Sequence, residues 1–194
     1  MYSDYKDMAE ILKPTTVGDA RVDIFTAENN PMTYIRYGIP PGKYARLRVG
    51  SEVMMSNTPM EQRTNLNFIY DAHGDVLVGG LGIGLIILAI QDNPAVSSIT
   101  VLEVNQNVID AVKPQLPLNN KVKIILADAF KWKPDRKYDC IYMDIWPYIN
   151  SDIYYKEMVP IKRKYGHYLK PLSDSPKRFN RCWAEYQARN NLRL

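Results

Sequence analysis

Asp75-Val76-Leu77-Val78-Gly79-Gly80-Leu81-Gly82-Ile83-Gly84-Leu85-Ile86-Ile87-Leu88-Ala89-Ile90 is a short apolar run that breaks into four glycines and resumes as an apolar segment of helical length. The pattern predicts a strand, a tight glycine turn and a helix. Glycines at 80, 82 and 84 allow positive φ and let a ligand approach the backbone, and a following helix offers free N–H groups and the positive end of its dipole. This is how a nucleotide-type pocket is built. Gly-x-Gly-x-Gly alone is a common turn sequence, so its meaning depends on its surroundings. About twenty residues on, Ile99-Thr100-Val101-Leu102-Glu103 is a second β-rich run ending in a carboxylate, where a doubly wound fold hydrogen-bonds a ribose diol.

The pattern repeats downstream. Lys121 to Asp128 and Tyr138 to Asp144 are further β-rich runs, each ending in an acidic residue. Asn93-Pro94 ends the helix after the glycine turn, and Asn107 to Val112 forms a second helix stopped near Pro114. In an open α/β sheet the carboxyl ends of the strands line the ligand crevice, so Gly80 to Gly84, Glu103, Asp128 and Asp144 are expected to converge.

Upstream, residues 1 to about 20 carry weak periodicity and are expected to form a short helix and loop. Val22 to Phe25, Met32 to Tyr37 and Ala45 to Val49 read as strands, separated by Asn29-Asn30-Pro31 and Ile39-Pro40-Pro41-Gly42 turns. Gly50 divides Leu47 to Val49 from Glu52 to Met55 as a hairpin would. An antiparallel β-lobe follows from this. Thr58-Pro59-Met60-Glu61 has the form of a helix start, with Thr58 as cap, Pro59 at the first position and Glu61 completing a capping box. The helix runs to about Ala72, with Gly74 as its stop and Met60, Leu66, Phe68 and Ile69 as its buried face.

A chain of 194 residues with 46% hydrophobic content can bury one ordinary core. Its start lacks the basic-apolar-small order of a secretion signal, and no apolar run approaches membrane-spanning length, so a cytoplasmic protein with no membrane partner is expected. Cys140 and Cys182 read as reduced thiols, no His, Cys and carboxylate pattern suggests a metal, and His73 and His167 fall near helix ends. The net charge of +4 is uneven: from Ser151 onward ten Lys/Arg oppose four Asp/Glu, about +6, leaving the first 150 residues near −2. A basic helical tail of this kind is a solvated face or a contact for a phosphate-bearing partner.

With these residues in place, the sequence resembles the class I S-adenosylmethionine-dependent methyltransferases, and within them the spermidine-synthase-like branch, over about Leu47 to Asp144. Val76 to Gly84 resembles the first motif of that superfamily, Val101 to Asn105 the acidic second strand end, Leu126 to Phe130 the adenine-binding turn and Tyr138 to Asp144 the fourth-strand motif. The resemblance implies an α/β fold with a Rossmann-like sheet and S-adenosylmethionine as cofactor. It implies that Gly80, Gly82 and Gly84 admit the methionine moiety, Glu103 binds the ribose hydroxyls, and Asp128 with Ala129 holds the adenine.

The sequence also departs from that pattern. Pro147, within Asp144-Ile145-Trp146-Pro147-Tyr148, stands where spermidine synthases carry a second aspartate, which disfavours aminopropyl transfer. After Tyr148, Leu169-Lys170-Pro171-Leu172 keeps the lead of the next motif and lacks its glycines. Ser175-Pro176 looks like a helix start, with Phe179, Trp183, Tyr186 and Leu192 near one face. The expectation is a truncated sheet of four parallel strands ordered 3-2-1-4, divided as an N-terminal β-lobe (1–57), a cofactor-binding core (58–150) and a basic helical tail (151–194). Its fourth strand would be an exposed edge, to be covered by the C-terminal helix or by a second copy of the chain.

Methyl transfer chiefly needs alignment, so dedicated catalytic groups are few. Asp144 is the candidate for orienting or deprotonating an amine acceptor. Trp146 and Tyr148 could stack on a planar or cationic substrate, or simply pack the next helix. The sequence leaves three readings: a methyltransferase acting on a small molecule or nucleic acid, an aminopropyltransferase, and a degenerate cofactor-binding scaffold whose basic tail meets a nucleic-acid or protein partner.

Overall fold

The computed structural model describes residues 5–28 and 38–194. The expected strand Met32 to Tyr37 and the Asn29-Asn30-Pro31 turn lie outside the described residues. A first short helix, α1 (Met8–Ile11), leads into an antiparallel sheet of β1 (Thr15–Val17), β2 (Ala20–Ala27), β3 (Gly42–Val49) and β4 (Glu52–Ser56), paired in that order. The β3–β4 hairpin turns at Gly50, whose φ of 59° suits a two-residue loop.

Helix α2 (Pro59–Asp71) begins where the sequence places it. Its capping box does not form: Thr58 makes no side-chain cap bond, and its hydroxyl lies 3.1 Å from that of Ser56. Glu61 is buried, and its backbone hydrogen bond is at Ser56 rather than at Thr58. The buried stripe of α2 is Glu61, Gln62, Asn65, Phe68 and Ile69, polar in its first half and apolar in its second. Met60 and Leu66 are only partly buried beside it.

The second sheet is parallel, with β5 (Gly74–Gly79) at its centre and β6 (Val96–Glu103), β7 (Val122–Leu126), β8 (Cys140–Met143) and β9 (Phe179–Cys182) in the order β7-β6-β5-β8-β9. Successive residues of a strand face opposite sides, and both sides are covered. Val76, Val78, Val101 and Tyr142 join one cluster with α2, α3 (Leu85–Ile90) and α4 (Gln106–Val112). Leu77, Leu102, Ile141 and Met143 join the other, with Met158, Ile161 and Tyr165. Those three belong to helix α5, residues 151–166, whose middle, Tyr154–Met158, is a π turn between Ser151–Ile153 and Val159–Gly166. The first cluster also takes in Ala20, Val22, Ala45 and Leu47, so the β-lobe and the parallel sheet share one apolar interior.

The expected order 3-2-1-4 is present and carries a fifth strand. Cys140↔Phe179 through Met143↔Cys182 pair in parallel, so the fourth strand is not an exposed edge and needs no second copy to cover it. The helix expected from Ser175 is confined to α6 (Glu185–Asn190). The misreading has a simple cause: residues four apart share a face in a helix and also in a strand. Phe179 and Trp183 pack into the same cluster through a strand, with Arg181 between them, its guanidinium 4.2 Å from the Phe179 ring centre. Asn180 and Cys182 point the other way, toward α5, where Asn180 Nδ2 donates to the Lys162 carbonyl at 2.8 Å.

At the amino ends of the strands, Lys170 Nζ bridges Asp75 Oδ2 at 2.9 Å and Asp139 Oδ2 at 2.7 Å, and Arg136 also pairs with Asp75. No helix among the described residues is long and apolar enough to cross a membrane.

Candidate functional site

The carboxyl ends of β5, β6, β7 and β8 open onto a cleft of about 360 Å³, roofed by the β3–β4 hairpin. Its lining brings together Gly80, Gly82, Glu103, Asp128, Ala129, Asp144 and Trp146. The hairpin adds Leu47, Val49, Met54 and Met55, an apolar roof that the sequence reading did not assign. Such a roof over a few placed polar groups is the usual composition of a small-molecule site.

Gly80 has a φ of 93°, and a Cβ there would run into the Asp144 backbone carbonyl. Here the glycine is required twice, by conformation and by space. At Gly82 a Cβ would meet the Met55 sulfur, and Ile83 N–H donates to that same sulfur at 3.1 Å, so the roof rests on the glycine turn. Gly84 stands apart from the lining. It caps α3 in a left-handed conformation, and a Cβ there would strike Leu116.

Glu103, 9% exposed, accepts from Leu81 N–H at 3.0 Å with one carboxylate oxygen and from Asn105 N–H at 2.9 Å with the other. It thereby ties the glycine turn to the loop after β6, and each oxygen keeps a lone pair for a further donor. Asp128 Oδ1 accepts from Phe130 N–H at 2.8 Å, and that bond holds its carboxyl below the usual range, with Lys131 3.2 Å away assisting. Ala129 is buried, and its carbonyl accepts from Tyr165 Oη at 2.8 Å and Lys164 Nζ at 3.0 Å.

Asp144 stands at the end of β8, its amide held by the Gly79 carbonyl at 2.8 Å. The residue is half-buried and lines the cleft, and burial of its carboxyl raises its pKa to about 7. A second acid, Glu61, faces the same region from α2; burial, and after it the charge of Asp144, raises its pKa to about 8. Glu61 sits where a capping box predicts a cap, and it is buried instead. The signal available was its place on the same helical stripe as Phe68 and Ile69.

Trp146 is 6% exposed and donates from Nε1 to Glu157 at 2.7 Å, so it is both cleft wall and packed side chain. Tyr148 is 57% exposed and outside the lining. Burial pushes the Cys140 thiol up to about 12 and Cys182 higher still. Among the described residues no three His, Cys, Asp or Glu side chains are placed to hold a metal.

No protein-family model matches the chain, and no curated protein does either. Solved structures do. A spermidine synthase in complex with the transition-state analogue AdoDATO aligns with 81% of this chain and 52% of its own, at 17% identity and a TM-score of 0.51. Spermidine synthase from Thermotoga maritima aligns with 82% of this chain and 52% of its own, at 14% identity and a TM-score of 0.49. The N-methyltransferase NodS from Bradyrhizobium japonicum WM9, solved with S-adenosyl-l-homocysteine, aligns over 59% of each chain at 15% identity and a TM-score of 0.46. The aligned region is thus between half and three fifths of the length of these structures. The five-stranded parallel sheet, its flanking helices and the cleft at its carboxyl edge give this chain the Rossmann-like α/β fold that it shares with the spermidine synthase structure.

Proposed function

We propose that the cleft binds S-adenosylmethionine and that the chain transfers its methyl group to a nucleophilic acceptor, a small molecule or a nucleic acid. The supporting observation is convergence: Gly80, Gly82, Glu103, Asp128, Ala129 and Asp144, drawn from four strand ends, line one cleft. The residues fit that group. Gly80 leaves bare backbone where a side chain would fill the space, Glu103 has lone pairs for a ribose diol, and Asp128 can accept from an exocyclic amine.

Bound there, the cofactor supplies a methyl group on a sulfonium, which an acceptor must approach in line. The work of this chain is alignment and exclusion of water. Leu47, Val49, Met54 and Met55 form the dry roof, and Trp146 the far wall. Asp144, raised by burial to about 7, can accept a proton from an amine near neutral pH.

Calorimetry with S-adenosylmethionine and S-adenosylhomocysteine tests the reading. Binding of both is expected, at least tenfold weaker in Glu103→Ala. Absence of binding of either at high micromolar concentration refutes it. Parallel assays with decarboxylated S-adenosylmethionine decide between methyl and aminopropyl transfer.

A further inference from the structure

Glu61 and Asp144 come from elements far apart in sequence and are brought within electrostatic reach of each other where α2 is pinned to β8. Tyr142 Oη donates to Asn65 Oδ1 at 2.7 Å, both groups buried. From that pin, Glu61 lies four residues back along the helix, about 6 Å at 1.5 Å per residue. Asp144 lies two residues on along the strand, about 6.6 Å. Asp144 lies at the cleft, and its charge is felt at Glu61.

The ion pairs formed among the described residues include neither carboxyl. The other titratable groups around the two are Tyr142 on β8, Cys182 on β9 and Tyr5, whose hydroxyl donates to the Gln62 carbonyl at 2.8 Å. None of these is a cation. Burial holds Tyr142 and Cys182 neutral well above pH 7. Two buried acids facing each other without a cation do not both ionise at neutral pH, and one keeps its proton. Glu61 is 7% exposed, whereas Asp144 borders the cleft, so the proton stays on Glu61.

We propose that Glu61 is the proton partner of Asp144: near neutral pH the two carboxyls carry one negative charge between them, presented to the cleft by Asp144, which receives one ammonium group of the acceptor. This rests on the methyl-transfer reading above. The proton balance is simple. An ammonium N–H gives its proton to an Asp144 carboxylate oxygen, leaving a neutral amine with a free lone pair and two neutral carboxyls. Glu61 acts through Asp144 and is a positioning residue.

Carbon-13 NMR titration of side-chain carboxyls in the full chain tests this without any acceptor. Wild-type protein is expected to show two carboxyls titrating above pH 6 in coupled steps. Asp144→Asn should move the Glu61 step to lower pH, and Glu61→Gln should remove the upper step and leave the lower one. If Glu61→Gln fails to fold, Asp144→Asn reports the same coupling from the other side. A Glu61 titration unmoved by Asp144→Asn, or either carboxyl of the wild type titrating below pH 5, overturns the proposal. n-Butylamine added to the S-adenosylhomocysteine complex, with 1-butanol as neutral control, tests the ammonium subsite. Binding of the amine only, at least tenfold weaker in Asp144→Asn, is expected, and equal binding of amine and alcohol overturns it. Failure to bind S-adenosylhomocysteine would instead sink the cofactor reading, and the carboxyl titration would still be readable.

Discussion

The hydroxyl of Tyr165 donates to the carbonyl oxygen of Ala129 at 2.8 Å, and Lys164 donates to the same oxygen at 3.0 Å. A helix that follows β5 to β8 in sequence therefore holds a turn that lines the cleft. Tyr165→Phe leaves the carbonyl its lysine partner, so a loss of about 1 kcal/mol is expected, readable as a shift in the urea midpoint. Combined with Lys164→Met the carbonyl is stranded, and a loss of about 2–3 kcal/mol with weakened S-adenosylhomocysteine binding is expected. A double variant as stable as wild type would show that the turn holds itself.

Two glycines of the turn, Gly80 and Gly84, separate by position. Gly80→Ala places a side chain against the Asp144 carbonyl in a left-handed conformation, and should abolish cofactor binding and cost at least about 1–2 kcal/mol. Gly84→Ala meets Leu116 instead, outside the cleft, so it should lower stability while the folded fraction binds cofactor with near wild-type affinity. Thermal melts and calorimetry on the two variants check this, and equal losses of affinity would disprove the distinction.

The bridge at the amino ends of the strands sets a pH window. Burial disfavours ionised Asp75 and Asp139, but Lys170 leads the hydrogen bonds that outweigh it, and both are lowered from 3.8. Their contribution is present above pH about 4 and lost as pH falls through the lowered values. Lys170 is raised from 10.5 by Asp139 and then Asp75, so its contribution is full below that value and lost as pH rises through the raised one. Lys170→Met should flatten both flanks of a stability–pH curve from urea melts. Unchanged flanks would assign acid and alkaline unfolding to other groups.

Trp146 is oriented by Glu157, which the π turn of α5 carries. Glu157→Ala should shift tryptophan emission to the red and weaken S-adenosylhomocysteine binding several-fold, whereas Glu157→Gln, which keeps an acceptor, should do neither. Identical spectra for the alanine variant and wild type would mean that packing alone fixes the ring.

Much of the sheet was legible because a parallel strand announces itself twice, by a continuous apolar run and by the residue that ends it. Gly79, Glu103, Asp128 and Asp144 each stand at or just past such a run, and the structure places them at one edge. What was not legible depended on distances between elements. Glu61 satisfies a local capping rule, and only the packing of α2 on β8 shows it buried opposite Asp144. Gly84 belongs to the same motif as Gly80, yet Leu116, supplied by a later loop, gives it a different task. Tyr148 follows Trp146 by two residues, but the chain turns outward between them.

The pairing of β9 with β8 also has a meaning in time. During synthesis β5 to β8 leave the ribosome first, and the far edge of β8 keeps its open N–H and C=O groups until α5 and then Phe179–Cys182 have followed. At about 5–20 residues per second that interval is a few seconds, long beside the microseconds of local folding. A nascent chain of this protein thus passes through a stage in which its central sheet is nearly built and still adhesive along one side, and the arrival of Phe179, Arg181 and Trp183 ends it.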